Sequence, residues 1–131
     1  MTERRFLTPG SLPPPTGYSH VVQVPASELI FISGQVPLDA EGELVGAGDL
    51  EAQARQVFTN LTKALEAAGA AWSDVVKLTY FVRDVREIAT VRTVRDGVLD
   101  TRRLPASTLV EVSSLFRDDV LIEIDAIAVR A

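Results

Sequence analysis

The sequence predicts an α+β sandwich: one mixed β-sheet with two helices on one face, in the order β-β-α-β-α-β-β. Three observations predict it. Two segments repeat apolar residues at three- and four-residue steps. Five shorter segments are rich in β-branched residues and bounded by turn formers. The 131 residues, 47% hydrophobic and 24% charged, suit a single globular domain spanning 1–131.

The elements follow in order. Pro9-Gly10, Pro13-Pro14-Pro15 and Gly17 make 1–17 an extended Pro/Gly-rich leader, and regular structure is expected from about Tyr18. Val21, Val22 and Val24 suggest a first strand, and Pro25-Ala26-Ser27-Glu28 a turn. The run Leu29-Ile30-Phe31-Ile32-Ser33 reads as a second strand, ended by Gly34 and Pro37. Gly42, Gly46 and Gly48 mark a loop. Leu50, Ala54, Val57, Leu61, Ala64, Leu65 and Ala68 then draw one helical stripe, with Asp49 as N-cap and Gly69 just past the end. A strand is predicted over 75–82. A second helix is predicted over about 85–99, burying Ile88, Val91, Val94, Val98 and Leu99, with Asp84 and Glu87 at capping-box spacing. Strands over 107–112 and 120–129 close the chain.

The last strand puts Val120, Ile122, Ile124, Ala126 and Ala128 on one face. Its other face holds Leu121, Ile127 and Val129, interrupted by Glu123 and Asp125. A sheet apolar on both faces needs cover on both, and two helices cover one. A homo-oligomer is therefore expected, with Glu123 and Asp125 near a subunit boundary.

Composition excludes several chemistries. Without cysteine there is no disulfide framework, zinc-thiolate site or cysteine nucleophile. One histidine removes multi-histidine metal sites, so neither metal nor cofactor is expected. A net charge of −5 argues against nucleic acid as the main partner. The N-terminus carries no apolar signal core and no stretch would span a bilayer, so a cytoplasmic location and no membrane partner are expected.

Glu123, in an apolar strand, is a candidate general acid or base. An ion pair of Glu123 or Asp125 with Arg130 or a neighbouring chain is the competing reading, and on composition alone it carries more weight. Ser33-Gly34-Gln35 either offers a hydroxyl and amides to a ligand or simply ends a strand. Tyr18 and His20 could roof a pocket, but no nucleophile elbow accompanies a Ser-His-Asp reading. Gly46-Ala47-Gly48 lacks the rest of a phosphate-binding pattern and reads as loop. Arg83, Arg86, Arg92, Arg95, Arg102 and Arg103, interleaved with acids, read as a solvated, salt-bridged helix face.

Several segments together carry a resemblance: Phe31-Ile32-Ser33-Gly34-Gln35-Val36-Pro37, Ala52-Gln53-Ala54-Arg55-Gln56, Ala67-Ala68-Gly69-Ala70, Val76 through Asp84, Leu104-Pro105-Ala106-Ser107, and Ile122 through Val129. From about Tyr18 to Val129 the chain resembles the RidA (YjgF/YER-type, L-PSP) family of reactive-intermediate deaminases. The resemblance implies a chorismate-mutase-like fold, a homotrimer, and small-molecule clefts between subunits. In the deaminating members an arginine clamps the substrate carboxylate. A glutamate on the last strand helps position a water that attacks an imine carbon, giving a 2-oxo acid and ammonia. Glu123 matches that glutamate, and Tyr18, Ser33 and Gly34 match cleft-lining positions. Ser107 stands where the clamp arginine would be, and Leu109 where a cysteine usually follows. Arg92 occupies a position that is commonly Asn.

A hydroxyl does not replace a bidentate guanidinium, and losing such a pair costs about 2–5 kcal/mol. The leading expectation is thus a divergent imine or enamine deaminase, with water positioned by Glu123 and a neutral pocket around Ser107. The alternative is a non-catalytic trimer that binds a metabolite or regulates a partner. An endoribonuclease or translation inhibitor, attached to the family by name, fits the charge least.

Overall fold

The computed structural model describes residues 4–25 and 28–130. Four strands, β3 (Glu28–Gln35), β4 (Val75–Val82), β5 (Ala106–Glu111) and β6 (Ile122–Arg130), form one sheet in the order β3-β6-β4-β5. β6 runs antiparallel to both β3 and β4, whereas β5 runs parallel to β4, so the sheet is mixed. α1 (Leu50–Ala67) and α2 (Ile88–Asp96) pack on one face. The core lies in that layer: Val57, Phe58, Leu61 and Leu65 of α1 meet Leu78 and Val82 of β4 and Ile122, Ile124 and Ala128 of β6. Among the described residues, no helix is long and apolar enough to cross a membrane.

Local chemistry sets the helix ends. Asp49 Oδ1 accepts from the Ala52 amide at 3.1 Å, and Gly69 takes a left-handed φ of +71° just beyond α1. One polar residue is fully buried on the apolar stripe of α1. Gln53 Nε2 donates to the carbonyls of Gly46 (3.1 Å) and Asp119 (2.9 Å), and its Oε1 accepts from the Leu121 amide at 2.8 Å. Those bonds pin the loop before α1 and the approach to β6.

Two expectations need correction. The leader is not irregular throughout: β1 (Arg5–Leu7) pairs antiparallel with β2 (Val21–Gln23), with Phe6 opposite Val22. This ribbon is a separate sheet, so the first expected strand does not join the main one. Arg4 ties it down through Asp74 at 2.9 Å and through the Val129 carbonyl. The second helix is also shorter than expected. Residues 85–87 form a 3-10 turn in which Asp84 accepts from the Arg86 amide at 3.0 Å, and α2 ends before Gly97. Ala26 and Ser27 of the expected turn lie outside the described residues.

The second sheet face is bare along much of β3 within one chain, although Val129 of β6 is buried. Phe31 and Leu29 of β3 are 72% and 60% exposed, and they pair in register with Ile127 and Val129 of β6. Ile122, Ile124, Ala126 and Ala128 are buried on the helix side, while Glu123, Asp125 and Ile127 turn toward the open side, half-buried. The alternation expected for the last strand is thus observed from Ile122 to Ala128, whereas Val129, expected on the second face with Ile127, is buried as well.

Candidate functional site

A β-bulge builds the first half of the site. Ile32 pairs with Ala126, but the next paired residue on β3 is Gln35, opposite Ile124. Three steps on β3 thus answer two on β6, and the extra residue falls at Ser33-Gly34. There the Glu123 carboxylate lies against the glycine: a Cβ on Gly34 would stand 1.9 Å from Glu123 Oε2 and 2.8 Å from Cδ. No other residue type leaves room for the carboxylate in this position. Burial raises the Glu123 carboxyl above the usual range, and the charge of Asp125 adds to the effect.

The expected pair of Glu123 or Asp125 with Arg130 is not formed among the described residues. Arg130 faces Glu28 at 3.6 Å, and no ion pair to Glu123 or Asp125 occurs among the described residues.

The second half is a cavity of about 140 Å3 between α2, β5 and the end of the leader. Tyr18, Arg92, Ser107 and Leu109, four of the residues singled out from the sequence, line it together. Thr16 and Gly17 roof it, Ile88 and Val91 supply an apolar wall, and Tyr80 and Arg95 complete it. The leader is fastened over this space. The Ser19 amide donates to the Pro105 carbonyl at 3.1 Å, and Ser19 Oγ to the Leu104 carbonyl at 2.5 Å. His20 stays with the leader, its ring edge-on to Tyr18 at 5.2 Å and its Nε2 at 2.6 Å from the Pro13 carbonyl.

Arg95 is the residue that sequence reasoning missed. It is buried, with Nη1 donating to the Gly17 carbonyl and Nε to Asp96 Oδ1, each at 2.9 Å. Beside it burial pushes the Tyr80 hydroxyl up to about 12, against the opposing charge and hydrogen bond of Arg95, so the phenol stays protonated. A signal was present: Arg95 is seven residues after Ile88 and four after Val91, on the stripe that α2 buries. The solvated-face reading holds for Arg86 on Asp84 (2.9 Å) and Arg102 on Asp100 (3.2 Å), but not for Arg95. The pocket around Ser107 is likewise not neutral, because Arg92 and Arg95 both line it.

One chain keeps the two halves apart. Ser107 and Leu109 pair with Leu78 and Tyr80, which face the helices, whereas Glu123 pairs with Phe81, which faces the open side. Ser33, Gly34 and Glu123 therefore share one face of the sheet, and Tyr18, Arg92, Ser107 and Leu109 lie toward the other. Among the described residues, no cluster of His, Asp and Glu could hold a metal ion.

The family model described as Endoribonuclease L-PSP matches residues 9–130. The 2-iminobutanoate/2-iminopropanoate deaminase of Salmonella typhimurium is 41% identical over 113 residues, covering 85% of this chain and 87% of that one. A protein of unknown function of the conserved Rid protein family, YyfB from Yersinia pestis, superimposes with a TM-score of 0.86 at 35% identity, over 97% of this chain and 98% of its own. E. coli TdcF with bound serine gives 0.73 at 33% identity, over 94% and 93%.

Proposed function

The chain belongs to the RidA/YjgF (endoribonuclease L-PSP) family, and on that footing we propose that it hydrolyses a small reactive imine or enamine at a site shared between copies of a cytoplasmic homotrimer. The observation that carries this reading is the Glu123 carboxylate, held against Gly34 without an ion-pair partner among the described residues. A carboxyl whose proton affinity burial has raised is a stronger base toward water.

The chemistry needs neither metal nor cofactor. The ionised Glu123 takes a proton from a water as its oxygen bonds to the C=N carbon. The resulting tetrahedral carbon carries both OH and amine. The proton taken from water passes to nitrogen to complete the amine, and the hydroxyl proton, carried by the same carboxylate, follows it to nitrogen as the C–N bond breaks, so a carbonyl product and ammonia leave and the carboxylate is ionised again. Burial that raises the carboxyl strengthens it as a base, provided the pH keeps it ionised. Tyr18, Ser33, Gly34, Arg92, Ser107 and Leu109 would line the cleft, with Ser107 and Leu109 altering substrate preference relative to relatives that carry the clamp.

The trimer is part of the same proposal. The open face of β3 and β6 supports it, since Phe31 and Leu29 lie bare beside the bulge. A neighbouring copy laid on that face would bring its Tyr18–Ser107 cavity toward Glu123. The serine bound to E. coli TdcF supports a small metabolite as the cleft's occupant.

A coupled assay tests the reading. An amino-acid oxidase or a dehydratase supplies imines, and carbonyl release is timed with wild type, Glu123→Gln and Ser107→Arg. Acceleration by wild type and its loss in Glu123→Gln is the expected result. One observation favours a second reading: Ser107 provides no guanidinium where deaminating relatives clamp the substrate. If no variant accelerates any imine of a broad panel, the chain is a non-catalytic metabolite-binding protein. RNA cleavage by rigorously purified protein would instead favour the nuclease in the family's name.

A further inference from the structure

A second cavity, of about 330 Å3, shares no residue with the one between α2 and β5. It lies toward the other end of β4. The turn Trp72–Asp74 leads into that strand at Val75, opposite Ala128, whereas Glu123 sits opposite Phe81, ~20 Å further along. Trp72 and Phe6 supply aromatic walls, and Val98 and Leu99 aliphatic ones. Both rings are held in place. Trp72 Nε1 donates to Thr62 Oγ1 at 2.9 Å, and its ring packs on Phe58 with centroids 5.6 Å apart. Phe6 is paired into the leader ribbon, and the Arg103 guanidinium lies 4.9 Å over its ring centroid. The charges around the cavity do not balance. Arg4 is committed to Asp74 and the Val129 carbonyl, and Asp100 accepts from the amide and the guanidinium of Arg102 at 3.0 and 3.2 Å. Among the described residues the Arg103 side chain makes no hydrogen bond or ion pair. Three guanidinium groups thus meet two carboxylates, and one positive charge is left.

We propose that this cavity is a binding site for a small aromatic monocarboxylate, its ring against Trp72 and Phe6 and its acid group on Arg103. Rings already fixed, with a guanidinium already seated on one of them, lower the ordering cost of binding. One uncompensated charge matches one carboxylate, and the planar guanidinium fork pairs with it bidentately. The volume is about twice the ~150 Å3 that takes benzene, so a ring bearing a short acid arm fits. No residue of the proposed hydrolytic site takes part. Trp72 packs on α1, on the helix side of the sheet, away from the open face of β3 and β6 that a neighbouring copy would cover.

Trp72 is the single tryptophan of the chain, so its fluorescence reports on this cavity. The full chain is titrated with trans-cinnamate and with its neutral isostere cinnamamide, and calorimetry repeats both titrations. Wild type should bind cinnamate saturably, with a change in Trp72 emission, and at least tenfold more tightly than cinnamamide. Arg103→Gln should weaken cinnamate at least tenfold and leave cinnamamide unchanged, while Arg103→Lys retains part of the preference. Arg103 is exposed, so its replacement should leave the fold intact, and circular dichroism checks that. Absence of saturable binding by both methods, equal affinity of wild type for the two probes, or an Arg103→Gln protein that keeps the wild-type preference would overturn the assignment. Calorimetric binding that leaves Trp72 emission unmoved would put the probe elsewhere and overturn it as well.

Discussion

Glu123 and Gly34 interlock across the bulge of β3: the carboxylate occupies the space a Cβ at position 34 would need, 1.9 Å from Oε2. The backbone of Gly34 has no left-handed φ, so its small size and not its conformational freedom makes this arrangement possible. Gly34→Ala should therefore fold, because the flexible end of Glu123 can swing away. It should lose at least tenfold in imine hydrolysis, as a displaced base does. Thermal unfolding and the coupled assay, run together, separate the two effects.

The raised carboxyl of Glu123 sets a pH dependence. In the folded chain the group protonates at higher pH than in the unfolded chain, so the ionised form is the disfavoured one. Activity should fall on the acid side at a higher pH than an unshifted carboxyl would set. Asp125→Asn removes the adjacent negative charge and should move that limb to lower pH. Stability carries the same sign: the ionised carboxylate costs stability once pH exceeds the unfolded pKa, and the cost vanishes below it. Glu123→Gln should thus be at least as stable as wild type near neutrality, and any advantage should disappear in acid. Denaturant titrations at several pH values check this.

Gln53 is a structural counterpart to the site. Gln53→Leu keeps the volume but strands two carbonyls and the Leu121 amide. It should destabilise the chain by about 3 kcal/mol, at the upper end of the cost of leaving buried groups unpaired. Equilibrium urea unfolding measures it.

Arg95 holds the leader. Arg95→Met removes the donor to Gly17 and leaves Asp96 without its cation. The expected cost is about 1–3 kcal/mol, with faster amide exchange at Gly17, Tyr18 and Ser19. Arg95→Lys should not restore protection, since an ammonium cannot reach Gly17 and Asp96 in the same fork. Hydrogen exchange followed by mass spectrometry reads both variants.

The open face gives a prediction about assembly. Phe31 contributes nothing to the single-chain core. Phe31→Glu should leave far-ultraviolet dichroism intact while light scattering shows a monomer, and hydrolysis should fall with assembly. A wild type that runs as a monomer would contradict the proposed trimer.

The sequence was most informative where one physical effect dominates. The β-branched run at 75–82 and the stripe from Leu50 to Leu65 made β4 and α1 legible, because burial enforces their periods. The two-sided apolar pattern of β6 likewise foretold the open face. What escaped was set by contacts between distant segments. Three residues of β1 carry too little pattern to reveal their pairing with β2. Register fixes the bulge at Ser33-Gly34, and no composition rule announces it. Gln53 and Arg95 sit on apolar stripes, where a polar residue usually signals exposure; only their backbone partners, 66 to 78 residues away, explain their burial. For the site, the resemblance named Tyr18, Ser33, Gly34, Arg92, Ser107, Leu109 and Glu123. The division of these residues between two faces of the sheet required the strand register.

The central claim is that Glu123 activates water against a C=N carbon, and one comparison tests it most directly. Release of 2-oxo acid from freshly generated 2-iminopropanoate is timed against the spontaneous rate, with wild type and Glu123→Gln at equal, verified assembly state. Acceleration by wild type, with a hundredfold or greater loss in Glu123→Gln, is the predicted result. Equal acceleration by both proteins would contradict the account.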